Sequence, residues 1–124
     1  MGRGNKVAGA AGEMAALKFL KDKGYRILET NARTIFGEID IVAKKDGFTI
    51  FVEVKSRTTS SLGPPYLSIT KDKERHIVNN ALAYLKKRKL IESPWRIDVV
   101  SVKLNYEYQA ENIELFENAV EDNN

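Results

Sequence analysis

Apolar residues recur along this chain with two different periods, and the order of those periods predicts an α/β domain. Between Lys6 and Lys23, Ala10, Glu13, Ala16, Leu17 and Leu20 fall three or four residues apart, the spacing of one helix face. Gly24 follows as a natural helix stop. Residues Tyr25 to Asn31 read as a first strand. The segments Gly37 to Ala43 (GEIDIVA) and Phe48 to Lys55 (FTIFVEVK) then alternate with period two around Asp46-Gly47, a strong hairpin signal. Residues 57–69 (RTTSSLGPPYLSI) predict a loop. Thr70 suits the N-cap of a helix reaching about Lys89, with Ile77, Val78, Ala81, Leu82 and Leu85 on its buried side. Trp95 to Leu104 reads as a further strand, and Asn112 to Phe116 as a short last one. Neither an internal repeat nor a linker divides the 124 residues, a length that suits one domain. The core is expected over about residues 5–104, with an acidic tail over about 107–124.

The hairpin register brings chemistry into view. With Asp46-Gly47 as a two-residue turn, Ile39 faces Val54, Ile41 faces Val52 and Ala43 faces Ile50, giving one apolar face. On the other face Asp40 stands opposite Glu53, and Glu38 opposite Lys55; a three-residue loop would shift this by one. Facing carboxylates, with Cβ atoms about 5 Å apart, repel. A shared proton or a bound cation relieves that repulsion. A hard ion such as Mg²⁺ needs only a few carboxylate oxygens and keeps several waters, so Asp40 and Glu53 suffice. Lys55, on the same face, would then orient a water or offset charge on a phosphate. Glu13, inside the buried stripe of the first helix, would be costly there unless paired or liganded, and could reach the same cluster. The competing reading is a solvated strand face whose surface ion pairs contribute little, with Glu13 at the fringe of its stripe.

These residues also carry a resemblance. Gly12-Glu13 on an opening helix, Gly37 to Val42 (GEIDIV), Phe51 to Arg57 (FVEVKSR), Lys73 and Arg96 to Val100 (RIDVV) together resemble the YraN-type endonuclease-like family. That family is similar to archaeal Holliday-junction resolvases and belongs with the PD-(D/E)XK nuclease-like fold. The resemblance implies a three-layer, restriction-endonuclease-like α/β domain with a mixed central sheet flanked by helices, in the order αβββαββ. It implies Asp40 and Glu53 as metal ligands, Lys55 as the catalytic lysine and Glu13 as an accessory acid or water-mediated ligand. The proline of the superfamily's name is absent, since Ile39 precedes Asp40.

Composition narrows the alternatives. Hydrophobic residues make up 43% of the chain, enough for an ordinary core. No apolar run is long enough for a membrane span, and MGRGNKVAGAAGEM lacks a signal-type apolar segment, so a cytoplasmic protein without membrane partners is expected. Gly2 does not complete a myristoylation pattern, because position 6 is Lys6. Without cysteine there is no disulfide, zinc-thiolate site or thiol nucleophile. The single histidine, His76, excludes a histidine metal triad and reads as an exposed helix residue. No phosphate-cradling glycine loop precedes a helix. Trp95 reads as a core or edge anchor, and Asp98 as a brace for basic residues without a catalytic role.

The net charge of +3 is mild, but positive residues cluster at Lys71, Lys73 and Arg75 and again at Lys86-Lys-Arg-Lys89. Ser56, Arg57, Lys73 and Arg75 are the candidate nucleic-acid contacts. The sequence therefore points to a Mg²⁺-dependent nuclease, with Mn²⁺ as a substitute ion, acting on DNA that includes branched recombination and repair intermediates, and working as a homodimer. The alternative is a nucleic-acid-binding module that keeps the nuclease fold without efficient cutting. A protein-interaction domain with a vestigial site is the weakest reading, because Asp40, Glu53 and Lys55 are all present.

Overall fold

The computed structural model describes residues 2–58 and 69–121, with side chains from Lys6 onward. Helix α1 (Gly2–Asp22) leads into strands β1 (Arg26–Thr34), β2 (Gly37–Lys45) and β3 (Phe48–Thr58). Helix α2 (Lys71–Lys87) and strands β4 (Trp95–Leu104) and β5 (Ala110–Val120) complete the expected αβββαββ order. Most of the expected 57–69 loop lies outside the described residues. The five strands form one sheet in the order β1-β2-β3-β4-β5. Only β3 and β4 run parallel, which makes the sheet mixed.

The two helices cover opposite faces. Ala16 and Leu20 of α1 pack with Ile41, Ala43, Ile50, Val52, Val100 and Val102. Val78, Ala81, Tyr84 and Leu85 of α2 pack with Val42, Phe51, Ile97 and Val99. Because both faces are covered, neighbouring apolar residues occur in sequence at Ile50, Phe51 and Val52 of β3 and at Val99 and Val100 of β4, the usual signature of doubly buried strand centres. Phe51, 1% exposed, meets Tyr84 and Trp95 edge-on with ring centroids 5.4 and 6.1 Å away. Thr70 caps α2 as expected, its side chain accepting from the Lys73 N–H at 3.2 Å. No helix among the described residues is long and apolar enough to cross a membrane.

The expected hairpin register holds for five pairs, from Lys45↔Phe48 to Ile41↔Val52. Asp46 and Gly47 both take positive φ, 52° and 83°, which a tight two-residue turn between twisted strands demands. Four strands are longer than expected, with β2 reaching Lys45 and β3 reaching Thr58. Strand β1 continues through polar residues to Thr34, and β5 spans Ala110–Val120 rather than Asn112 to Phe116. Strand β5 is anchored by its ladder to β4 and by the Asn118 N–H, which donates to Asp98 at 2.9 Å. Asp98 is fully buried and also accepts from Tyr25 Oη at 2.7 Å and Arg96 Nε at 2.9 Å. It braces a basic residue, as its place in the sequence suggested.

Candidate metal and phosphate site

The regular β2–β3 ladder stops at Ile41↔Val52, and the acidic cluster begins there. A regular continuation would give the Val54 N–H to the carbonyl of Ile39. Val54 N instead donates to Asp40 Oδ2 at 2.8 Å. The pleat breaks at the same point. Ile39, which strict alternation would put beside Ile41, joins the α2-side core with Val42 and Phe51. The expected apolar row through Ile39 and the direct Asp40–Glu53 and Glu38–Lys55 pairs are therefore corrected. A carboxylate has taken a backbone acceptor's role and parted the strands. Glu38 pairs with Arg33 across β1 at 3.5 Å, and Lys55 Nζ lies 3.6 Å from Glu53 Oε1.

Asp40 and Glu53 nevertheless feel each other. Burial raises the Glu53 carboxyl from 4.5 to about 7, the Asp40 charge adds to the rise, and Lys55 and Lys73 offset part of it. Asp40 is also raised, chiefly by burial, although the Val54 N–H and Lys55 favour its charged form. Glu13 is raised by burial and then by Asp40 and Glu38, while a 3.0 Å hydrogen bond from Asn31 Nδ2 opposes the rise. Three acids thus share one excess of negative charge. Lys55 and Lys73 offset it only in part.

Two cavities open beside Asp40. One, of about 230 Å³, is lined by Glu38, Asp40, Glu53 and Lys55 from the sheet and by Lys73, His76 and Asn80 from α2. The other, of about 320 Å³, is lined by Glu13 and its neighbours on α1 together with Asp40, Val54 and Ser56. Asp40 belongs to both. The approach of α1 depends on Gly12, where an added Cβ would lie 1.7 Å from Ser56 Oγ and 2.7 Å from Ser56 Cβ. Glycine alone lets the helix backbone come this near β3, and this contact brings Glu13 to the rim of the second cavity.

The model of the family described as "Uncharacterised protein family UPF0102" matches residues 12–102. The chain belongs to the UPF0102 family. The match bears out the YraN-type resemblance, since UPF0102 is the YraN family. A UPF0102 protein of Desulfosudis oleivorans is 48% identical over 115 residues, covering 93% of this chain and 90% of the relative. One from Trichlorobacter lovleyi is 45% identical over 105 residues, covering 84% and 83%. One from Geobacter metallireducens is 42% identical over 117 residues, covering 94% of each chain. The fold is compatible with a restriction-endonuclease-like domain.

Every candidate site residue lies within the UPF0102 match, but the structure sorts them into groups. Asp40, Glu53, Lys55 and Lys73 share the first cavity, and Glu13 and Ser56 share the second with Asp40. Glu13 is only half-buried, at the rim rather than deep in the core. Arg57 stands one residue before the end of β3, beside Lys103 of β4, and lines neither cavity. Arg75 lies on the exposed side of α2, 3.6 Å from Asp72, and also lines neither. Sequence reasoning missed Asn31, His76 and Asn80. Asn31 has a positive φ of 51° within β1, a conformation that asparagine tolerates better than most residues. His76 is exposed as expected, yet it also lines the cavity. Asn80 is 3% exposed and accepts from the Thr34 hydroxyl. The spacing of 73, 76 and 80 on one helix face was the available signal.

Proposed function

We propose that this UPF0102 protein is a Mg²⁺-dependent nuclease that hydrolyses DNA phosphodiester bonds, including those of branched recombination and repair intermediates. The observation that carries the reading is the Asp40–Glu53 pair, two acids with raised pKa values at one parted ladder beside Lys55. Among the described residues, no three His, Asp or Glu side chains gather closely enough to enclose an ion. The protein's share is therefore two carboxylates, with water and phosphate oxygens completing the shell. That donor set suits Mg²⁺ or Mn²⁺, which keep several waters, better than a closed structural zinc site.

Asp40 and Glu53 would hold the ion, with Glu13 reaching it through water. When bound, the ion supplies Lewis acidity and an ionisable water near neutral pH. Lys55, beside Glu53, would hold the attacking water and meet charge developing on the phosphate. Lys73 and His76 would donate to phosphate oxygens from the α2 wall. Ser56 would hold the backbone on the α1 side, with Arg57 and Arg75 contacting phosphates farther out.

A second reading, a binding module that does not cut, is favoured by the bonds already satisfying the site: Asp40 to Val54 and Lys55 to Glu53. Incubation of branched, nicked and single-stranded DNA with Mg²⁺ or Mn²⁺ separates the two. Cutting is expected for the natural chain and its loss for Asp40→Asn and Glu53→Gln. Cutting that survives both substitutions overturns the site. Salt-sensitive binding without cutting favours the module.

A further inference from the structure

The β1–β2 turn points to a second element of substrate recognition. Thr34 pairs with Gly37, so Ile35 and Phe36 alone form the tip of this hairpin. Ile35 is 89% exposed and Phe36 45%. The companion hairpin uses Asp46-Gly47, the chemistry a two-residue turn normally favours. A lone exposed apolar residue is ordinary, whereas two consecutive ones at a turn tip call for a use.

The tip is braced from behind. The Thr34 hydroxyl donates to Asn80 Oδ1 of α2 and accepts from the Phe36 N–H at 3.0 Å. Asn80 is 3% exposed, so a buried amide on the helix wall fixes an exposed apolar turn. Next to the turn, a Cβ on Gly37 would meet His76 Nε2 at 3.1 Å. The tip is thus tied to the same helix that lines the acidic cavity. Arg33, its side chain 84% exposed, flanks it on β1.

We propose that Ile35 and Phe36 form a wedge that enters an opened base step of branched DNA and sets the distance to the cut. This rests on the reading of the acidic cavity as a phosphodiesterase site. Apolar side chains that enter base steps unstack them and bend the duplex, and a branch presents a step already weakened. Arg33 stands where the backbone beside that step would pass. Two side chains, each burying at most roughly 250 Å², fall short of the roughly 800 Å² per partner of a stable protein interface. A base step takes a wedge of that size. Phe36 and Ile35 lie four and five positions from Asp40 in the sequence. At about 3.3 Å per strand residue that is roughly 13–17 Å, or four to five nucleotides at about 3.4 Å each.

The test uses a three-armed DNA junction carrying 2-aminopurine at the branch, with EDTA present so that nothing is cut. The natural chain should raise the fluorescence on binding and prefer the junction to plain duplex about tenfold. Ile35→Ser with Phe36→Ser should lose both effects while keeping plain-duplex affinity, and Ile35→Leu with Phe36→Leu should retain them. With Mg²⁺, cuts should fall four to five nucleotides from the branch. A double serine variant that behaves like the natural chain overturns the wedge, as does a natural chain that binds without raising fluorescence. A shift in sedimentation mass on serine substitution overturns it too, by making the tip a self-association surface. A fluorescence rise without any cutting keeps the wedge and removes the catalytic reading, whereas cutting without a rise does the reverse.

Discussion

Glu53→Gln replaces a carboxyl that burial and Asp40 push up to about 7 with a neutral group of the same shape. Moving a carboxyl from 4.5 to about 7 corresponds to about 3 kcal/mol between its two protonation states. Because the folded value exceeds the unfolded one, the folded state holds more protons between these values. Stability is then fully present below about 4.5 and is lost as pH rises through about 7. Above that, the metal-free natural chain bears the whole cost of about 3 kcal/mol. The glutamine variant does not, and it also relieves Asp40 of a neighbouring charge. Urea unfolding in EDTA should find the two proteins within about 1 kcal/mol at pH 4.5, with the variant more stable by about 2–3 kcal/mol at pH 8. Mg²⁺ at about 10 mM, for a dissociation constant on the order of 1 mM, should add about 1.4 kcal/mol to the natural chain and nothing to the variant. A difference that does not change between pH 4.5 and 8 refutes the strained-pair argument. So does a variant that is the less stable of the two at pH 8.

Gly12→Ala should lower stability by about 1–3 kcal/mol, because the new Cβ overlaps Ser56 and must push α1 off the sheet; thermal unfolding measures it. Asp98→Ala should cost about 3–5 kcal/mol in urea unfolding, since it leaves Tyr25, Arg96 and the Asn118 N–H facing a buried gap. Asn31→Ala removes the one hydrogen bond that lowers the Glu13 pKa, so carboxyl NMR titration should find Glu13 raised further.

The fold was legible wherever burial imposed a period. Strand β4 begins and ends where Trp95 and Leu104 predict, because both its faces are covered and apolar residues recur along its whole length. The hairpin register was legible because Asp46 and Gly47 fix the turn. The length of β5 was not, since only Ile113, Leu115, Phe116 and Val120 of its eleven residues are large and apolar and it is held at the sheet edge by backbone bonds. The break at Asp40 was hidden for a different reason. It arises from a side chain competing with a carbonyl for one N–H, and period counting registers only which residues are apolar. Glu53 and Lys55 were legible as an acid and an amine on one strand. His76 and Asn80 were not, because on a charged helix they look like any solvated residue until β2 is folded against them.

Under the proposed metal role, the bond from Val54 to Asp40 makes one residue answer to two selective demands. Asparagine at position 40 could still accept that hydrogen bond through its amide oxygen and keep the hairpin shaped, though it would bring no charge to an ion. Among the described residues, no comparable bond ties Glu53 or Lys55 to the backbone. In a lineage that gave up phosphodiester chemistry, positions 53 and 55 should drift first, while position 40 stays restricted to aspartate and asparagine. Ancestral and living sequences read at these three positions would then date the loss of an activity separately from any loss of the scaffold.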